Sequence, residues 1–339
     1  MSGELWKYCS KEQEKAFILS LNLLPASVRE RMSGEEQLAL LYALSNHAER
    51  HYRETRIPKK GGESRRLLIP DGLLKGVQRN ILHHCLDGRS VSPHACAYRR
   101  GLSPIDNAAP HAGGERDRIL LKLDIRNFFD SILFPRVYGA AFPESLFPPA
   151  AAGLLTHLCC WHDRLPQGAP TSPAISNLVM KPFDDYIGKW CEERKVIYTR
   201  YCDDLAFSGR FDAKEVYRKV RGFLAAMGFE LNEEKTVIAG PGRRQTVTGL
   251  VVNERPRTSA QYRRKIRQEM YYCRKFGVEE HLRMAGLLNG KEDVGETAEK
   301  ADAFLQSLSG RIGYVLQMEP ENREFMEYRE FCRKMMNSR

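Results

Sequence analysis

The sequence predicts an α+β fold with a helical start, a mixed centre and a helical end, and three observations carry that prediction. Ser33 and Glu36 form an S-x-x-E capping box ahead of Leu38, Leu41, Tyr42 and Ala48, which recur at a 3.6-residue period, so helix is predicted over 33–51. In the centre, apolar runs end at aspartates: 119–123 leads into Asp124, and 196–201 and 205–207 flank Cys202-Asp203-Asp204. Near the end, apolar residues from Phe304 to Val315 return to helical spacing.

The other elements follow in chain order. The segment RIPKKGGESRRLLIP places a glycine pair between short apolar runs, which predicts two strands joined by a basic turn over about 56–69. Thr171-Ser172-Pro173 supplies an N-cap residue followed by Pro at the first helical position, and Ile175, Leu178, Val179, Phe183 and Ile187 continue one face, so a long helix is predicted after LPQGAP. Asp212 and Glu215 cap a further helix to about Met227. Strand composition returns over 245–252, and Thr258 and Gln261 open a basic helix.

Of 339 residues, 42% are hydrophobic and 28% charged, which excludes a disordered or fibrous chain. The longest apolar stretches, 17–24 and 39–44, are far short of the roughly 20 residues that span a bilayer, and the N-terminus lacks a secretory signal pattern. A cytoplasmic protein without a membrane partner is expected. The nine cysteines include no C-x-x-C pair, which fits reduced thiols. Neither His83-His84-Cys85 nor the group His157, Cys159, Cys160 and His162 has the paired spacing of a structural zinc site. The net charge is +10, and ten basic against two acidic residues put +8 of it between Pro241 and Phe276. Such a local field attracts polyphosphate backbones; a solvated face is the bland alternative.

Two adjacent aspartates commonly mark a turn, because Asp tolerates turn geometry and stays solvated. Asp124 at a second strand end changes the weighing for Asp203 and Asp204, since three converging carboxylates repel one another unless cations neutralise them. Mg²⁺ prefers hard oxygen ligands and binds carboxylates together with substrate phosphates. Two such ions ~4 Å apart stabilise the attacking and leaving oxygens of nucleotidyl transfer.

Three segments in order, LKLDIRNFFDSI, LPQGAPTSPAISNLV and YTRYCDDLAFSG, resemble motifs A, B and C of reverse transcriptases. The resemblance implies a right-hand polymerase fold with fingers, a palm of antiparallel sheet plus helices, and a helical thumb. It implies that Asp124, Asp203 and Asp204 are the catalytic ligands of two Mg²⁺ ions. Phe129, five residues after Asp124, falls at the steric-gate position that excludes a nucleotide 2′-hydroxyl, which implies dNTP substrates. Gln167 and Gly168 match the motif B loop against the incoming nucleotide, where glycine permits close backbone approach. Lys59, Lys60 and Arg65 match the fingers residues that hold the triphosphate, and Arg65 ranks above Lys59 because a guanidinium engages phosphate in a bidentate fork. Lys235, in LNEEKTVIAG, corresponds to the motif D lysine that protonates leaving pyrophosphate; a surface lysine at a helix end is the other reading.

Two further matches narrow the family. Asn107-Ala108-Ala109-Pro110-His111 fits the NAxxH pattern of retron reverse transcriptases, and Val247-Thr248-Gly249 resembles their VTG signature. SLSGRIGYVLQMEPEN resembles their thumb. The cysteine of YCDD stands where that family more often has alanine, and two neighbouring carboxylates raise its pKa. Retron resemblance implies a dedicated structured RNA acting as template and primer, with synthesis from a guanosine 2′-hydroxyl to a branched RNA–DNA product (msDNA), antiphage defence, and a separately encoded effector. On this reading Asn107, His111, Val247, Thr248, Gly249, Arg263, Arg264, Lys265 and Arg267 bind RNA, while Tyr262, Tyr271 and Tyr272 either stack on nucleotides or pack in the core. The implied domains are an N-terminal helical segment (1–51), fingers and palm (52–252) and an RNA-binding thumb (253–339). The alternatives are a non-catalytic RNA-binding scaffold and a group II intron or diversity-generating reverse transcriptase.

Overall fold

The computed structural model describes residues 6, 8–58, 64–113, 117–288 and 293–337. It divides into two compact units, one made of Met1–Ser103 with Ile119–Ile238 and the other of Pro104–Arg118 with Ala239–Arg339. No helix among the described residues is long and apolar enough to cross a membrane.

In the first unit, α1 (Lys11–Ser20) starts at a capping box, with the Ser10 hydroxyl accepting from the Gln13 amide and the Gln13 side chain accepting from the Ser10 amide. The predicted box at Ser33 forms in the same way and opens α2 (Gly34–Asn46), after which a tighter turn over Ala48–His51 replaces the last predicted turn of helix. The basic hairpin is longer than expected, with β1 (Tyr52–Pro58) and β2 (Ser64–Pro70) paired antiparallel from Tyr52↔Pro70 to Pro58↔Ser64. Its expected turn residues Lys59 and Lys60 lie outside the described residues. Asp71 then caps α3 (Gly72–Ile81), whose Leu74, Val77 and Ile81 are buried.

The central sheet has the order β4-β5-β3-β6, with β3 (Ile119–Asp124), β4 (Ile197–Tyr201), β5 (Asp204–Gly209) and β6 (Val237–Ala239). Leu120, Leu121 and Leu123 of β3 are buried, as a strand covered on both faces requires. Helices α4 (Phe134–Ala141), α5 (Pro149–Cys159), α6 (Ser172–Glu192) and α7 (Ala213–Ala226) surround it and share one apolar core with α1, α2 and α3. Asp212 caps α7 as predicted. Thr171 does not cap α6: its backbone is already helical, and Ser172 donates its hydroxyl to the Pro166 carbonyl.

The second unit joins two distant stretches. The hydroxyl of Thr248 donates to the Pro104 carbonyl, the Gly113 amide to the Val252 carbonyl, and the Arg118 guanidinium to the Gln245 side chain and the Val252 carbonyl. The strand expected over 245–252 is two short strands, β7 (Thr246–Val247) and β8 (Leu250–Val251), about a turn in which Thr248 and Gly249 both have positive φ, as a type I′ hairpin demands. Beyond it, α8 (Ala260–Phe276) begins at Ser259, not Thr258, and packs with α9 (Val278–Met284), α10 (Val294–Met318) and α11 (Arg323–Asn337) around Ile266, Met270, Leu305, Ile312 and Phe325.

Asn107, His111 and Val247 are buried in this unit and offer no surface to an RNA as placed. Burial, with the Arg118 charge adding to it, depresses the His111 pKa to about 3. A histidine with a depressed folded pKa binds fewer protons than its unfolded counterpart, so stability falls as pH drops below the unfolded value near 6.5. The melting temperature is therefore expected to fall between pH 6.5 and 4.5 with a slope that His111→Gln flattens; equal slopes in both proteins would contradict the burial.

Candidate active site

Strand register brings the three aspartates together. Asp124 is paired directly with Asp204 at the ends of β3 and β5, and Tyr201 with Asp204 across β4 and β5, so Cys202 and Asp203 form a two-residue hairpin loop. The Asp203 carbonyl accepts from the Ile125 amide at 3.0 Å, which fixes this loop to the end of β3. Burial raises the pKa of Asp204; Lys122 opposes that, and the charges of Asp203 and Asp124 add to it. The repulsion expected of converging carboxylates is thus present.

Lys235 answers it. The segment carrying it is held to β3 by the Asn232 amide on the Asp124 carbonyl, and the Lys235 ammonium lies 3.0 Å from both carboxylate oxygens of Asp124. Partial burial opposes the charge on Lys235, but the hydrogen bond and attraction of Asp124 outweigh it and raise its pKa. Among the described residues no three His, Cys, Asp or Glu side chains are gathered closely enough to hold a metal ion.

The turn is braced from beneath. Arg200, fully buried on β4, forks onto the Asp184 carboxylate with bonds of 2.6 to 3.0 Å, donates to the Asn177 side chain at 3.0 Å, and donates to the Cys202 carbonyl at 3.0 Å. Tyr198 donates its hydroxyl to the same Asp184. Asp184 and Asn177 both lie on α6, so one guanidinium ties that helix to the acidic hairpin. Burial, with Asp203 adding to it, pushes the Cys202 thiol up to about 12, so the thiolate is suppressed mainly by desolvation and only secondarily by the carboxylate.

The hairpin β1–β2 meets the loop ahead of α6. The Leu68 amide donates to the Gln167 carbonyl at 2.8 Å, and Gly168 follows at φ 125°. A Cβ there would lie 2.6 Å from the Leu68 carbonyl oxygen. Gly168→Ala is thus expected to lose about 1–3 kcal/mol and to move Gln167, seen as a lower melting temperature and a weaker nucleotide KM; an unchanged protein would refute the close approach.

These elements border one cavity of about 740 Å³, lined by Arg65, Phe129, Gln167, Lys235 and all three aspartates. Phe129 packs edge-on to Phe128 at 5.4 Å, and Phe128 stacks on Phe229. The residues expected to touch RNA lie in the second unit. Arg263 is paired with Glu319 at 2.7 Å and largely covered, whereas Arg267 is paired with Glu324 at 2.7 Å but remains exposed. Arg264 and Lys265 are exposed. Tyr262 packs against the core of that unit and Tyr271 is exposed.

Residues 57–253 match the family model described as reverse transcriptase (RNA-dependent DNA polymerase). The chain belongs to the reverse transcriptase family. It is similar to the retron Ec86 reverse transcriptase of Escherichia coli, with 34% identity over 271 residues that cover 77% of this chain and 82% of that protein. It is similar to the retron Mx65 reverse transcriptase of Myxococcus xanthus at 34% identity, covering 72% of this chain and 62% of that protein. Apo telomerase from Candida tropicalis aligns with a TM-score of 0.46 at 13% identity, covering 82% of this chain and 60% of that one. The reverse transcriptase is of the retron type and is an RNA-directed DNA polymerase, and its helices and antiparallel strands form an α+β fold. Sequence reading missed Arg200 and Asp184; the signal for Arg200 was a charge inside a strand that has no other, whereas Asp184 stands beside Asp185 in a helix with several charges.

Proposed function

We propose that this reverse transcriptase copies a dedicated structured RNA from an internal guanosine 2′-hydroxyl, giving branched msDNA that serves antiphage defence with a separately encoded effector. The observation that carries the chemistry is the pairing of Asp124 with Asp204 beside Asp203 in a cavity also bordered by Arg65 and Phe129. Asp124, Asp203 and Asp204 are hard oxygen donors whose mutual repulsion suits Mg²⁺, and they would hold two such ions once the Lys235 ammonium leaves Asp124. Bound there, the metal would neutralise charge on the attacking and leaving oxygens. Arg65 grips the triphosphate, Phe129 closes the space beside the sugar C2′, Gln167 lines the base side, and Lys235, released from Asp124, carries the proton for departing pyrophosphate. Arg264 and Lys265 on α8 contact RNA phosphates, as their exposure allows.

The test is synthesis by the purified protein on its cognate RNA with dNTPs and Mg²⁺. The expected product is DNA joined to RNA by a 2′,5′ bond, which survives ribonuclease and is released by a debranching enzyme. A linear product alone would reject the retron priming reaction, and no product would favour a scaffold. Charge reversal at Arg264 and Lys265 is expected to weaken RNA binding about tenfold at physiological salt; an unchanged Kd would remove that surface.

A further inference from the structure

Tyr98 lies outside the three motif segments and is held beside the cavity by contacts to two residues within them. Its hydroxyl donates to Cys202 Sγ at 3.1 Å, and its ring lies 6.5 Å from that of Phe129 at 52°. Tyr98 and Cys202 both have left-handed backbones, at φ 60° and 61°. That conformation is uncommon for bulky residues and persists where surrounding contacts impose it, often at functional sites. Tyr98 is nevertheless 50% exposed, so burial does not account for its placement. It borders the same cavity as Phe129, Gln167 and Asp203.

The two sides of Phe129 differ. Its inner side rests on Phe128 and, through it, on Phe229. Toward the cavity, the ring near it is Tyr98. A gate works only as far as its ring cannot yield, because an apolar pocket by itself rejects an analogue with one added hydroxyl by only ~10²-fold.

We propose that Tyr98 is a second sugar-selecting residue of the nucleotide site. Its ring restricts Phe129 on the cavity side, and its hydroxyl, tied to Cys202, fixes that ring to the turn that carries Asp203. The assignment rests on Phe129 being the gate, and the variants separate the two ideas.

The measurement is the ratio of kcat/KM for a dNTP and the matching rNTP on one RNA template. Tyr98→Leu, which removes the ring, is expected to lower that ratio about tenfold, chiefly through a lower rNTP KM. Tyr98→Phe and Cys202→Ala break the same hydrogen bond, so each is expected to lower the ratio by a smaller and equal factor, with the double variant no worse than either. If Phe129→Ala leaves the ratio unchanged, the gate reading itself fails. If Phe129→Ala lowers it while Tyr98→Leu does not, or slows both nucleotides equally, Tyr98 has no selecting role. Additive effects of Tyr98→Phe and Cys202→Ala overturn the tether, and this pair decides the matter even where the leucine variant does not fold.

Discussion

Asp203→Asn is expected to lower RNA-templated DNA synthesis by about 10³-fold while leaving the fold intact. On the proposed mechanism a metal that these carboxylates would hold supplies charge stabilisation of several kcal/mol, and each ~1.4 kcal/mol is a factor of ten in rate. The fold is spared because the structural tie of Asp203 is its backbone carbonyl, which accepts from Ile125 and survives the substitution. The check is single-nucleotide extension with thermal unfolding of both proteins. Equal extension rates under matched Mg²⁺ would sink the metal site, and a collapsed melting temperature would show that Asp203 has a structural task.

Arg200→Met is expected to produce the largest loss of stability, about 3–5 kcal/mol, because it leaves the Asp184 carboxylate buried without its cation. It also frees the Cys202 carbonyl, so activity falls further than unfolding alone accounts for. Urea unfolding measures the first effect, and extension at a temperature where the variant is folded measures the second. Replacing Asp184 by leucine in the same chain removes the orphaned charge and is expected to restore part of the stability. A loss below about 1 kcal/mol for Arg200→Met would mean that water reaches this pair.

The contrast between Asp203 and Arg200 marks what the sequence disclosed. The carboxylates sit at strand ends in short local patterns, and an apolar run, a β-branched and aromatic composition, a helical apolar face and a capping pair predicted β3, the β4–β5 hairpin, α6 and α7 respectively, close to where they stand. The Ser33 box worked because capping is decided within four residues; the Ser10 box obeys the same rule. Arg200 depends on a carboxylate 16 residues away on another element, which periodicity does not reveal. The same holds for Arg263 and Arg267: a basic run looks uniformly unpaired until Glu319 and Glu324 are brought across by folding. The cap expected within Thr171-Ser172-Pro173 does not form, because the Ser172 hydroxyl is turned back to the Pro166 carbonyl in a loop also shaped by the approach of Leu68 to Gly168.

The discontinuous second unit has a practical consequence. Cutting the gene after codon 238 would strand Arg118, Gly113 and Pro104 without Gln245, Val252 and Thr248, the groups that satisfy them. A C-terminal fragment would likewise lack the strip of chain that seals its base. Split versions of this enzyme should therefore complete the second unit only when residues 104–113 and Arg118 are present with the later piece.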